Sequence, residues 1–265
     1  MSPLVASTRM YNVAPGATSA WHRLLRRVSD GAGVPLEIVD HPHPAPLSAL
    51  WQRPDLGCAF MCGWPLAQER GTRPILAAPV PSGAGGPRYH SVFVVAASSP
   101  FEAVEQTFGG SFAFNSKGSH SGWNMPQAHL ARLGAFFSGE VGPFGPHQRA
   151  AEAVANGEAN LAAIDSLVWA LLSRFDPALA GRLRVVGRTP DQPSPPLVGS
   201  AALGARQAER LRAALIGLSD DAAGRALLED TCLSGFEAVT MAGYEETLGL
   251  SGDGSRAGVC WPSAS

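Results

Sequence analysis

From residue 89 to 97 the chain reads Tyr-His-Ser-Val-Phe-Val-Val-Ala-Ala, with Val92, Phe93, Val94 and Val95 in unbroken succession. A β-branched run without polar alternation predicts a strand covered on both faces. Such a strand needs partners on either side, and the remaining sequence supplies them. Short apolar runs at residues 4–9, 35–40, 56–62, 75–80, 112–115, 159–164 and 183–187 predict further strands, with residues 197–200 extended. Stretches of helical spacing lie between and after them, at residues 19–29 (capped by Thr18 or Ser19), 47–52, 121–133, 148–156, 166–174, 206–218 and 222–230. Alternating strands and helices predict an α/β fold.

Composition narrows the function. Hydrophobic residues make up 45%, enough to bury a core, so the 30 Gly and 22 Pro read as tight turns rather than disorder. The net charge of -2 is spread without a block of like sign, which removes the footprint of a nucleic-acid binder or a polybasic membrane protein. No apolar run reaches the roughly 18 residues of a membrane span. The first ten residues carry no basic segment, apolar stretch and cleavage site of a secretory leader, a reading that favours the cytoplasm.

Of the four cysteines, Cys58, Cys62, Cys232 and Cys260, the first two lie in an apolar stretch and read as small hydrophobes. No second Cys/His pair has zinc spacing, and His41-x-His43 sits in a proline-locked loop without third and fourth ligands. The sequence holds no G-x-S-x-G elbow, Walker loop, G-x-G-x-x-G or H-E-x-x-H. Neither a metal, a cofactor nor a catalytic set is expected.

The strand at 89–97 and the proline-rich connector at 189–200 bracket about 100 residues with their own βαβα pattern. This predicts a first lobe of residues 1–92 and 196–265 and an inserted second lobe of 93–195. A hinge near 90–97 and 189–200 would join them, with a ligand held between the lobes. The Gly, Ser and Asp residues after Gly249 predict a loosely held end.

One motif points to chemistry. Ser119-His120-Ser121-Gly122-Trp123-Asn124 follows a strand and opens a helix, so unpaired backbone N–H groups and the positive end of the dipole meet there. Two hydroxyls add donors without charge, and Gly122 lets backbone approach a ligand. The alternative is that Ser119 or Ser121 only caps the helix. Asp165, at the end of a strand and the start of a helix, fits an N-cap and a ligand contact equally. His147, after Gly145-Pro146, can donate to an anion or face solvent. Tyr11, Asn12 and Tyr89 are polar-tipped residues at expected cleft edges, and Trp64 either walls a pocket or belongs to a core.

The chain also resembles a known family. The residues that carry the likeness are Met10-Tyr11-Asn12, Cys62-Gly63-Trp64-Pro65 and Tyr89-His90-Ser91-Val92-Phe93-Val94-Val95. The turn Ser119-His120-Ser121-Gly122-Trp123-Asn124, then Gly145-Pro146-His147-Gln148-Arg149-Ala150 and Ala162-Ala163-Ile164-Asp165-Ser166-Leu167-Val168-Trp169, continue it. In this order they resemble the phosphate/phosphonate (PhnD-like) substrate-binding proteins of ABC transporters, over residues 8 to 200. The resemblance implies a type II periplasmic-binding-protein fold and a monomer that captures a phosphate, phosphonate or phosphate ester for an ABC permease. It implies anion contacts from Ser119, His120, Ser121 and His147, cleft positions for Tyr11 and Tyr89, and an acidic contact from Asp165. It also implies the periplasm, against the leaderless start. A cytoplasmic enzyme on the same fold, of the chorismate dehydratase-like kind, and a ligand-sensing module are the alternatives.

Overall fold

The computed structural model describes residues 2–250; Cys260 and the Gly/Ser/Asp-rich end from residue 251 lie outside the described residues. Contacts divide the chain into two compact units. Of the described residues, the first comprises 2–89 and 193–246, and the second 90–192 with 247–250. These divisions fall three residues earlier than the sequence pattern suggests. Ser91 already pairs in register with Asp165, which ties it to the second sheet.

The first unit is built on a six-stranded sheet. Its strand order is Leu233–Glu237, Ile75–Pro81, Leu197–Val198, Leu56–Phe60, Leu4–Ser7 and Leu36–Ile38. The last three run parallel, while Leu197–Val198 is antiparallel to both its neighbours. Leu56–Phe60 is buried throughout, as a central strand of consecutive apolar residues must be. Strand Leu233–Glu237 was not legible as a strand, because Ser234 and Gly235 interrupt its apolar pattern; pairing with Ile75–Pro81 imposes the conformation.

Helix Pro15–Ala32 covers this sheet with Ala17, Ala20, Trp21, Leu24, Leu25 and Val28, a stripe at helical spacing. It begins at Pro15 rather than after Thr18, since the fixed φ and missing N–H of proline suit the first turn. It ends at Gly33, whose φ of 55° is the left-handed geometry of a C-terminal stop. The segment Cys62-Gly63-Trp64-Pro65 opens helix Gly63–Gln68.

The second unit carries a five-stranded sheet in the order Leu183–Arg188, Ser91–Ala96, Leu161–Asp165, Ser111–Ala113 and Gly139–Val141. Phe93, Val94 and Val95 are fully buried, so the unbroken β run lies where both faces are covered. The strand starts at Ser91, with Arg88–Tyr89 forming a separate short piece. Phe93, Phe112, Phe114, Trp123, Leu130 and Phe137 form the core of this unit.

Each unit fastens the two passing segments on its own side. In the first, the Ser194 N–H donates to Pro87 O at 2.9 Å, and the Tyr244 hydroxyl donates to Ser194 O at 2.8 Å. In the second, the Thr189 N–H donates to Ser91 O at 2.9 Å, and the Ser91 N–H donates to Thr189 Oγ1 at 3.0 Å.

Candidate functional site

Strand Ser111–Ala113 delivers the chain through Phe114 and Asn115 to Ser119, where a helix opens with unusually wide winding. His120–Asn124 is a π turn that passes into the α-helix Met125–Arg132. The Asn124 N–H reaches back five residues to Ser119 O at 3.1 Å. Pro126 has no N–H to bond the fourth residue back, which is compatible with the wide opening.

A chain of hydrogen bonds fixes the polarity of Ser119. The Ser116 N–H donates to Asn115 Oδ1 at 2.7 Å, which sets the orientation of that amide. Asn115 Nδ2 therefore donates to Ser119 Oγ at 3.1 Å, and the Gly122 N–H donates to the same oxygen at 3.0 Å. Both lone pairs of the Ser119 hydroxyl are then occupied, so the one further hydrogen bond it can make is one that it donates. Capping and anion binding, set as alternatives by the sequence, are compatible here. Gly122 has a different reason from the expected one: a Cβ at this position would land on Asn115 Oδ1. Asn115 was not singled out in the sequence, because its only signal is an amide at the end of a short strand.

Ser121 lies next to this group, buried, with its Oγ 2.9 Å from His147 Nε2. Its carbonyl accepts from Ser91 Oγ at 2.7 Å, which ties the turn to the neighbouring strand. His147 begins helix His147–Ala155. Burial pushes its imidazole pKa down to about 4, against a smaller opposing pull from the Ala163 backbone. His120 is also fully buried, and burial lowers its pKa to about 4. Both rings are thus neutral at physiological pH. The direction of the Ser121–His147 hydrogen bond follows the imidazole tautomer: the ring donates to Ser121 when Nε2 carries the proton and accepts from it when Nδ1 does. The His120 and Ser121 N–H groups, at the start of the helix, have no carbonyl within it to bond.

Asp165 ends strand Leu161–Asp165 and caps helix Ser166–Phe175. Its Oδ1 accepts from the Leu167 N–H at 2.8 Å and the Val168 N–H at 3.3 Å. Tyr11, Asn12, Trp64 and Tyr89 belong to the first unit. The Tyr11 ring is buried with Trp21, 5.8 Å away, and with Phe60, 4.7 Å away and edge-on. Asn12 Oδ1 accepts from the Thr8 hydroxyl at 2.8 Å. Trp64 is half-buried on helix Gly63–Gln68, and Tyr89 is buried at the end of its short strand. Ser119, His120, Ser121, His147 and Asp165 all lie in the second unit, where Ser121 and His147 are in direct contact.

Among the described residues, no group of three or more His, Cys, Asp or Glu could hold a metal, and no helix is long and apolar enough to cross a membrane.

A family described as the periplasmic substrate-binding protein of phosphonate ABC transporters matches residues 13–244. No curated protein matches the chain. Among solved structures, PhnD1 of Prochlorococcus marinus, in complex with methylphosphonate, is similar with a TM-score of 0.78 at 18% identity, over 93% of this chain and 95% of that one. The binding component of an ABC phosphonate transporter from Pseudomonas aeruginosa is similar with a TM-score of 0.74 at 20% identity, over 94% and 84%. The arginine-, lysine- and histidine-binding protein ArtJ of Geobacillus stearothermophilus reaches 0.57 at 14% identity, over 87% and 93%. These likenesses show the fold, the two-lobed α/β architecture of type II periplasmic binding proteins.

Proposed function

The chain belongs to the phosphonate ABC transporter substrate-binding protein family, and from that premise we propose that it captures a small phosphonate, phosphate ester or phosphate on the turn Ser119-His120-Ser121 and presents it to an ABC permease. The observation that carries the reading is the fixed polarity of Ser119. Two N–H donors saturate its oxygen and leave a single proton to give. Ser121 beside His147, the first backbone N–H groups and the positive end of the helix dipole add donors at the same place.

An oxyanion needs such a set. Hydrogen bonds to a charged acceptor are roughly twice as strong as neutral ones, and in a buried site they can hold charge without a lysine or arginine. Asp165 is a positioning residue in this scheme, holding the helix that follows the central strand. Binding proceeds without turnover.

Isothermal calorimetry with methylphosphonate tests the reading. Replacing Ser119 and Ser121 together by Ala removes two charge-assisted bonds. The expected cost is about 2–4 kcal/mol of binding, at roughly 1.5–3 kcal/mol each with some rescue by water. Undiminished affinity in that double variant would remove the serines from the site. Release of a product from a phosphate ester would make the protein an enzyme.

A further inference from the structure

Ser91 heads a strand that continues as Val92, Phe93, Val94 and Val95, and it is fully buried. A hydroxyl in such a setting has to find a partner. It donates to the Ser121 carbonyl at 2.7 Å, and the winding of the oxyanion turn explains why that carbonyl is open to it. The Asn124 and Met125 N–H groups reach back five residues to the carbonyls of Ser119 and His120. The next donor in this series would come from Pro126, which has no N–H, so the Ser121 carbonyl is bonded from the strand instead. The Ser91 backbone is held in turn. Its N–H donates to Thr189 Oγ1 at 3.0 Å, its carbonyl accepts from the Thr189 N–H at 2.9 Å, and it pairs in register with Asp165.

Chemistry alone fixes the direction of each link. A carbonyl oxygen only accepts, so the Ser91 hydroxyl is the donor. A backbone N–H only donates, so Gly122, at the other end of the same peptide unit, gives its proton to Ser119 Oγ at 3.0 Å. Resonance joins the two ends of that peptide. A hydrogen bond accepted at the oxygen draws density from the nitrogen and makes the N–H a stronger donor. Ser119 Oγ, receiving the stronger bond, holds its own proton less tightly and becomes a stronger donor itself. The three donors therefore run one way, from Ser91 through the Ser121–Gly122 peptide to Ser119.

We propose that Ser91 is a positioning residue of the anion site, which strengthens the hydrogen bond that Ser119 gives to the ligand by polarising the Ser121–Gly122 peptide between them. The inference rests on the oxyanion reading above and adds to it a residue that has no contact of its own with the ligand. It accounts for a hydroxyl at the head of an otherwise apolar strand. It also ties the site to the return passage of the chain, because the residue that polarises the turn is the one whose backbone is bonded to Thr189.

A double-mutant cycle on the full chain, read by calorimetry with methylphosphonate, tests it. Ser91→Ala is expected to lower affinity about two- to fivefold, the size of a weakening by about 10–30% per link in a charge-assisted chain. In the Ser119→Ala background the last link is gone, so adding Ser91→Ala should change affinity by less than about 1.5-fold. A Ser91 that only held the turn in shape would cost the same in both backgrounds. That equality, or no loss in the first background, would overturn the proposal while leaving the oxyanion reading standing. Ser91→Cys keeps nearly the same shape with only a weak S–H donor, so it should follow the same pattern, and it serves the cycle if the alanine variant fails to fold. Unchanged affinity in Ser119→Ala alone would sink the oxyanion reading and this proposal together.

Discussion

Gly122→Ala is the perturbation that asks most of the site. The added methyl would occupy the place of Asn115 Oδ1, so the amide must rotate away. That rotation breaks the bond from the Ser116 N–H to Oδ1 at 2.7 Å and the bond from Nδ2 to Ser119 Oγ at 3.1 Å. Two hydrogen bonds at about 0.5–1.5 kcal/mol each amount to about 1–3 kcal/mol lost. Alanine recovers about 1 kcal/mol by its higher helix propensity, leaving a net cost of about 1 kcal/mol. Binding suffers separately, because the Ser119 hydroxyl is no longer held as a donor by two accepted bonds. Losing most of one charge-assisted bond, about 1.5–3 kcal/mol, lowers oxyanion affinity 10- to 100-fold.

The signature is a change of sign in a second background. Asn115→Ala removes the three atoms that the new methyl would strike first, so adding Gly122→Ala in that background should be neutral or stabilising. Urea unfolding of the four proteins and calorimetry with methylphosphonate provide the measurement. An equal cost for Gly122→Ala with and without Asn115 would refute the collision and, with it, the fixed polarity of Ser119.

Other consequences are open to measurement. His120 and His147 have folded pKa values near 4, below the ordinary 6.5, so the unfolded chain binds more protons between those limits. Stability is therefore full above about pH 6.5 and falls as pH drops toward 4, by on the order of 3 kcal/mol per ring; His120→Phe should flatten the pH dependence of the urea midpoint. Asp165→Ala leaves the Leu167 and Val168 N–H groups uncapped and should lower stability by about 1–2 kcal/mol, with partial recovery in Asp165→Ser. Thr189→Val keeps the shape but leaves the Ser91 N–H without its side-chain acceptor, a loss of about 1–3 kcal/mol visible in thermal unfolding. Burial pushes the Cys58 thiol up to about 12, so alkylation at pH 8 should reach it only on unfolding.

Much of this was legible wherever short-range pattern decides the outcome. The run from Val92 to Val95 reads as a buried strand because β-branched residues on both faces have no other favourable setting. Ser119 and Asp165 read as helix starts because side-chain oxygens at such positions satisfy orphan N–H groups. What escaped depends on partners distant in sequence or on fine winding. Strand Leu233–Glu237 exists through its ladder with Ile75–Pro81, more than 150 residues earlier, and its own residues are indifferent to it. The π opening at His120 and the role of Asn115 follow from where a loop returns, which no spacing records. Tyr11 reads as a polar-tipped edge residue, yet its ring serves the aromatic cluster with Trp21 and Phe60.

The paired fastenings around the two passages of the chain have a consequence for descent and engineering. Pro87 and Ser194 are already hydrogen-bonded neighbours in the first unit, as Ser91 and Thr189 are in the second. The residues between them behave as a cassette whose entry and exit coincide, so a splice of a few residues could seal the first sheet without it. A different cassette could be grafted at the same seam, exchanging the chemistry of capture while the frame that receives it keeps its register.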